Sequence, residues 1–361
     1  MKIAILTDGM WPYFKGGKEK RWFEIARRLS KNNDVHIYTM KWWKGKDIKK
    51  ENGYTLHAIS PLYSMYNKSG KRTISQALRF AWHVYPVLRK EEFDILDVDQ
   101  MPFFHIFPAL LVSKRRRKPM IVTWHEYWGK YWFDYLGTMG LFGFIIEKIS
   151  DIIAPRAVAI SELTYNRLST QKKDNVPLFV DVDLIDGIDC EKKEYDIAFD
   201  GRLISHKNVE TLVKVANKNN FKTIIMGGGP DEEKLRKLAK ENVTFTGFVQ
   251  DSEEIFANVK KSKVYVSLSE REGFGISVLQ ALTCGVPVIT SNHLNNASKS
   301  MIKNTYNGFA VDLNEEIIAE GIRYCIKHNK KMSKNAKESS NRFVPEKIVA
   351  QLEKIYLEAT K

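Results

Sequence analysis

Ser269-Glu270-Arg271-Glu272-Gly273-Phe274-Gly275-Ile276-Ser277-Val278-Leu279-Gln280-Ala281 is the stretch from which the fold can be read. It follows a short apolar run, Val264–Ser267, that reads as a strand, and it continues into Ile276–Thr283, which has helical spacing. Gly273 and Gly275 permit a tight backbone path and close approach to a ligand, leaving amide N–H groups directed at it. Glu272 lies in the loop, and Gln280 follows eight residues later. That is about two helical turns, so both side chains can lie on one side of a site. Strand, glycine-bearing loop and helix, in that order, make the repeating unit of a parallel sheet whose ligands collect at the carboxyl ends of its strands.

Outward from this segment the same unit recurs, and it starts twice. The first start is the strand Lys2–Thr7, the Gly/Pro-bearing loop Asp8–Gly17 and a helix over Lys18–Asn32, with Trp22, Ile25, Ala26 and Leu29 on one face. Strands at Val35–Thr39, Phe93–Val98, Met120–Thr123 and Ala157–Ile160 follow, with helices at Phe103–Ser113 and Leu141–Ile149. The second start is the strand Tyr195–Phe199, the loop Gly201–Asn208 and the helix Val209–Lys218. After it come Thr223–Met226, the loop Gly227–Pro230, the helix Asp231–Lys240, and strands at Val243–Phe245 and Val286–Thr290. The pattern predicts an α/β protein of two Rossmann-like, doubly wound parallel-sheet domains facing across a cleft. The N-terminal domain is expected over 1–178 and the C-terminal one over 179–340, with a last helix in 341–361 packing back on the first domain. The acidic, weakly periodic Val176–Lys193 is the expected hinge. A chain of 361 residues is long enough for two such cores.

Composition excludes several classes. With 43% hydrophobic and 28% charged residues the chain is globular, and disorder is expected only in the Lys-rich Lys327–Lys337. Cys190, Cys284 and Cys325 are far apart and suit a reducing compartment rather than a disulfide framework or zinc site. Ile3–Leu6 is too short for a signal-peptide core, and the longest uncharged apolar segment, Tyr135–Ile146, is too short to span a bilayer. The expectation is a cytoplasmic protein. Residues 1–180 carry 30 Lys and Arg against 17 Asp and Glu, a net of +13, and the rest of the chain nets +1. All eight tryptophans lie between Trp11 and Trp132. A basic, Trp-rich half suits an anionic membrane surface, here the inner face of the cell membrane. The other reading of the same asymmetry is a Trp-rich core under solvated lysines.

Three further groups carry candidate chemistry. Arg202 and Lys207 follow a strand and open a helix, so a diphosphate placed there meets two cations and a helix N-terminus at once. His125 follows the strand Met120–Thr123, at the expected cleft end of the first sheet. Asp97-Val98-Asp99 has the spacing of a metal–nucleotide motif, yet it ends a strand in a two-domain pattern, and no metal site is assigned to it. A Ser-His-Asp order, HExxH, a Walker loop and GxGxxG are all missing from the sequence.

Taken together, these segments resemble the GT-B glycosyltransferases of family 4, the group 1 glycosyltransferases, which are retaining enzymes. The resemblance runs from Gly16-Gly17 through Trp124-His125-Glu126, Gly201-Arg202-Leu203 with Lys207-Asn208, and Met226-Gly227-Gly228-Gly229-Pro230. It continues through Phe245-Thr246-Gly247-Phe248-Val249 and Glu272-Gly273-Phe274-Gly275 to Ala281-Leu282-Thr283-Cys284-Gly285-Val286-Pro287. It implies a hexosyltransferase-type enzyme that uses a nucleotide-sugar as donor substrate, with no cofactor and no metal. His125 and Glu272 would be the catalytic pair. Gly17, Arg202, Lys207, Gly228, Val249, Phe274, Gly275, Ile276 and Gln280 would bind the donor, with Arg202 and Lys207 on its diphosphate and the Val249 region on its base. The acceptor would be a lipid-linked molecule or a glycan, and no nucleic acid is expected as partner.

The sequence departs from the family pattern in three places. The second glutamate of the family's E-x7-E pair is Gln280, which can donate and accept hydrogen bonds but carries no charge. The hinge reads Pro177-Leu178-Phe179-Val180-Asp181, without its usual glycine, and Asp200 stands where an apolar residue usually precedes Gly201. The alternative function is therefore a GT-B-fold protein with weak catalysis, acting as a basic module that binds membrane or nucleic acid.

Overall fold

The computed structural model describes residues 1–14, 16–66, 72–190 and 192–361. Lys15 of the first loop and Glu191 of the expected hinge lie outside the described residues. The chain divides into two compact units: Met1–Val176 together with Val349–Lys361, and Pro177–Ile348.

Unit 1 is built on an eight-stranded sheet. Its strands are β1 (Lys2–Leu6), β2 (Asp34–Met40), β3 (Ile48–Glu51), β4 (Tyr54–Ser60), β5 (Ile95–Asp99), β6 (Met120–Trp124), β7 (Ala157–Ala159) and β8 (Lys173–Asn175). They lie in the order β3-β4-β2-β1-β5-β6-β7-β8. Among the described strands of this sheet, only the β3–β4 pair is antiparallel. The helices are α1 (Gly17–Leu29), α2 (Ile74–Leu88), α3 (Ile106–Arg116), α4 (Tyr131–Leu136), α5 (Gly140–Ile153) and α6 (Glu162–Arg167). A parallel strand is covered on both faces, so it reads as an unbroken apolar run. Ile3, Ala4, Ile5 and Leu6 of β1 are accordingly all fully buried.

Unit 2 starts with the short helix α7 (Val182–Asp186), inside the segment expected to be a hinge, and Asp181 caps it by accepting from the Leu184 N–H. Its sheet contains β9 (Tyr195–Asp200), β10 (Thr223–Met226), β11 (Val243–Gly247) and β12 (Ser262–Ser267). Two-residue strands β13 (Arg271–Glu272) and β15 (Asn295–Asn296) pair with each other. The main sheet is completed by β14 (Val288–Ser291) and β16 (Gly308–Val311), in the all-parallel order β11-β10-β9-β12-β14-β16. The helices are α8 (Val209–Asn219), α9 (Glu232–Leu238), α10 (Ser252–Lys260), α11 (Ile276–Thr283), α12 (Glu315–Lys327) and α13 (Asn329–Ser340).

The Lys-rich stretch expected to be disordered is instead helical. Met332, Asn335 and Ala336 recur at helical spacing and are buried, while the lysines project outward. Burial of that stripe outweighs the composition. The last helix, α14 (Pro345–Thr360), places its final residues in unit 1. Glu353 accepts from Asn33 at 2.7 Å, Glu358 pairs with Arg156 at 3.2 Å, and Gln351 donates to the Asn175 carbonyl at 2.8 Å. The buried Tyr356 hydroxyl donates to Asp97 at 2.6 Å, and Thr123 donates to the same carboxylate at 2.7 Å. Asp97 is thus committed to structure. Burial pushes its carboxyl up to about 6, against the pull of those two donors.

Removing one donor from a buried carboxylate leaves an unmet acceptor, so Tyr356→Phe is expected to destabilise unit 1 by about 1–3 kcal/mol. Urea unfolding of the full chain measures this, and an unchanged midpoint would mean that Tyr356 is not what anchors the tail.

Candidate active site

The unit 2 candidates surround the carboxyl ends of β9, β10 and β12. Strand β9 ends at Asp200, and Arg202 follows, exposed and without a side-chain partner among the described residues. Its backbone is held by Gly201 N–H donating to the Met226 carbonyl and Leu203 N–H donating to that of Gly228, both at 3.0 Å. Gly228 thereby sits against the Arg202 turn. Val249 is half-buried just beyond β11, and Gly247 at the end of that strand accepts from the Gly227 N–H at 2.8 Å.

Lys207 ends a single 3-10 turn, and its Nζ lies 2.5 Å from Glu272 Oε1. Both side chains are only partly exposed, at 19% and 15%. The two loops that carry them are stitched together independently. Asn208 donates to the Leu268 carbonyl at 3.1 Å and to Glu270 at 3.2 Å, and the Glu270 N–H donates to the His206 carbonyl at 2.9 Å. Burial and then the neighbouring Arg271 and Lys207 hold His206 down at about 4, so it is neutral at pH 7. Burial raises Asp200 to about 6, with Lys207 opposing.

Gly275 precedes α11 with φ of +92°, a region open to glycine, and a Cβ there would meet Ser298 Cβ at 2.4 Å. The turn therefore lies directly on Ser298, which bonds to Thr290 and Asn296. Phe274 is buried edge-on against Phe343. Ile276 opens α11, whose first-turn amides have no partners inside the helix, and half-buried Gln280 lies one turn further along. A positive helix end, an exposed guanidinium and an ammonium paired to a carboxylate make an anion site with an exchangeable counter-ion.

Unit 1 places Gly17 and His125 at the carboxyl ends of β1, β5 and β6. Gly17 opens α1, with free space where a Cβ would stand. The His125 N–H donates to the Gln100 side chain, and its Nε2 lies 3.5 Å from Asp99 Oδ1. Burial pushes His125 down to about 3 although Asp99 pulls it upward, so the ring is neutral. Sequence reasoning missed the charges around it. Lys18 Nζ lies 2.8 Å from Asp8 and 2.6 Å from Asp99, and Arg72 pairs with Asp8. Burial would raise Asp99, but Lys18 and His125 outweigh it and hold the carboxyl at about 2. The overlooked signal was the pair of aspartates ending neighbouring strands, which require a cation. Asp97 and Asp99 of the DxD are engaged by Tyr356, Thr123, Thr7 and Lys18.

The comparisons with known proteins agree with this architecture. Residues 15–183 match the description "Glycosyltransferase Family 4", and residues 185–342 match "Glycosyl transferases group 1". The chain belongs to the group 1, family 4 glycosyltransferases, whose two characteristic halves together span nearly all of it. It is 27% identical to the N-acetyl-alpha-D-glucosaminyl L-malate synthase of Bacillus anthracis over 191 residues, covering 47% of this chain and 49% of that protein. It is 25% identical to a capsular polysaccharide biosynthesis glycosyltransferase of Staphylococcus aureus over 251 residues, covering 59% of this chain and 64% of that protein. The chain thus matches about half to two thirds of the length of these relatives. Among solved structures, sucrose-phosphate synthase from Thermosynechococcus elongatus superposes with a TM-score of 0.79 at 16% identity, covering 99% of this chain and 98% of that one. Anabaena HepE in complex with UDP does so with 0.75 at 15% identity, covering 99% and 100%. These likenesses establish the GT-B fold.

His125 binds fewer protons folded, near 3, than unfolded, near 6.5. A depressed histidine costs stability once pH falls below its unfolded value. Relative to wild type, His125→Gln should therefore gain on the order of 2 kcal/mol in unfolding free energy between pH 7 and pH 5. Urea titrations at the two pH values measure this, and equal pH responses would show that the ring is already solvated.

Proposed function

We propose that the chain is a retaining, metal-independent glycosyltransferase of the hexosyltransferase type. It takes a sugar from a nucleotide-sugar held by unit 2 and passes it to a lipid-linked or glycan acceptor, from the cytoplasmic side of the cell membrane. The observation that carries the reading is that exposed Arg202, unpartnered among the described residues, comes from the same β9–α8 loop as Lys207, which pairs with Glu272 just ahead of α11. A diphosphate offers Lys207 more negative charge than one carboxylate does. Donor binding would therefore transfer Lys207 to the phosphates and free Glu272 to accept from hydroxyls of the transferred sugar. Arg202, Lys207 and the amides of Phe274, Gly275 and Ile276 would stabilise charge on the departing diphosphate, the role a metal plays elsewhere. Gly228, Val249 and Gln280 would seat the nucleoside. Gly17 and neutral His125 would be the reactive residues of unit 1, His125 Nε2 having no hydrogen-bond partner among the described residues. The UDP bound by HepE and the sugar polymers or glycosides made by the relatives support this reading.

A panel of UDP-, GDP- and ADP-sugars tests it by thermal unfolding. One of them at about 100 times its Kd should add about 2.7 kcal/mol. Arg202→Ala and Lys207→Ala should each weaken that binding by about 1.5–3 kcal/mol without loss of fold. No shift with any donor, or full binding by both variants, would reject the assignment.

Transfer should also survive EDTA, because cations of the chain neutralise the diphosphate. Loss of turnover on chelation and its return with manganese would overturn the metal-independent mechanism.

A further inference from the structure

Unit 1 contains a groove of about 110 Å³ between α2, the 101–104 loop and α4–α5. Phe103, Phe104, Trp128, Trp132, Phe142 and Ile146 are part of its apolar wall, and Arg72 is the one charged residue among the described lining. The wall is closely built: a Cβ on Gly143 would meet the Trp132 ring at 2.2 Å. Arg72 is fixed by its pair with Asp8 and by its N–H donating to the Tyr135 hydroxyl at 3.0 Å. Its Nε is buried and has no partner among the described residues. Through Asp8, Lys18 and Asp99, this end of the groove is linked to His125.

The outer edge of the groove has the opposite character. Helix α5 buries Glu147, Ser150 and Asp151, and leaves Phe142, Ile145, Ile149 and Ile152 exposed as one stripe. Phe142 belongs both to the groove and to this stripe, and is 69% exposed. Ile74 and Leu78 of α2 are exposed as well, and Ile74 lines the groove. An apolar surface of this extent needs a partner.

We propose that this groove binds the apolar chain of an anionic amphiphile, the acceptor, with the charged end at Arg72 and the remainder of the chain running out over α5. The inference rests on the reading of unit 1 as the acceptor side. Two features favour a lipid-like anion over a second copy of this protein. An apolar protein face would offer nothing to Arg72, the one charged residue of the described lining, whereas a phosphate or carboxylate brings an opposite charge to it. The surrounding half of the chain has a net charge of +13, which repels its own copy and attracts an anion.

Isothermal titration of the full chain with farnesyl phosphate, farnesol and inorganic phosphate tests the inference. Farnesyl phosphate is expected to bind at least tenfold more tightly than either of the others. Phe142→Asp and Met139→Asp, both at exposed positions, are expected to weaken it at least tenfold while keeping the wild-type circular dichroism. Binding of farnesyl phosphate no tighter than that of inorganic phosphate, or unchanged in both variants, would overturn the proposal. So would a dimer in sedimentation that Phe142→Asp dissociates, because the groove would then be covered by a second copy. The donor panel on the same wild-type chain separates the two readings. Donor shifts without farnesyl phosphate binding would reject the groove alone, and the reverse pattern would reject the donor site alone.

Discussion

The Lys18 ammonium lies between two fully buried carboxylates, Asp8 and Asp99, and the geometry of unit 1 follows from that contact. Strands β1 and β5 are parallel neighbours, so the residues that end or follow them stand side by side. Two carboxylates there would repel each other in a medium that screens poorly. Lys18 is in the first turn of α1, and the positive end of that helix adds to its charge. Taking one partner from such a buried group costs about 3–5 kcal/mol, so the α1 start is fixed rather than adaptable. The same Asp99 faces His125, and the same Asp8 holds Arg72. One charge balance therefore orients both the ring and the guanidinium.

Unit 2 uses a lysine–carboxylate pair differently. Lys207 and Glu272 are part-exposed, and each comes from a loop anchored by other bonds, through Asn208 and Glu270. The pair can open without unfolding anything around it. The difference lies in the carboxylates: Asp8 and Asp99 are fully buried, whereas Glu272 is 15% exposed.

The sequence made the strand–loop–helix units visible because parallel strands bury both faces and helices repeat every 3.6 residues. Val264–Ser267 and Ile276–Thr283 are examples, and the latter matches α11 residue for residue. Glu272 and Lys207 were each identifiable from their loops, but their contact was not, since 65 residues separate them. Asp8, Lys18 and Arg72 went unnoticed for the same reason: nothing local announces a pairing that only the sheet order creates. Composition misled at Lys327–Lys337, where charged residues masked a buried stripe of Met332 and Ala336. The tryptophans divide by burial. Trp22 and Trp124 are fully buried, whereas Trp82 on α2 is 82% exposed.

Helix α5 shows why an apolar face can be left outside. Glu147 accepts from the N–H groups of Trp128 and Gly129 at 2.8 and 2.7 Å, and Asp151 accepts from those of Ser169 and Thr170 at 2.9–3.0 Å. Those four amides belong to loops that have no ladder to join, and each buried N–H needs an acceptor. The carboxylates therefore turn inward, although burial lifts Glu147 to about 7. Once the polar side of α5 is anchored, its opposite face must point outward, whatever its residues are. A chain under no further constraint would place Lys or Glu there, since a polar outer face costs nothing in these contacts. Instead the positions hold Leu141, Phe142, Ile145, Ile149 and Ile152. Anchoring explains the direction of the helix but not the residues on its outer face. The lipid-like occupant proposed for the neighbouring groove would cover that face.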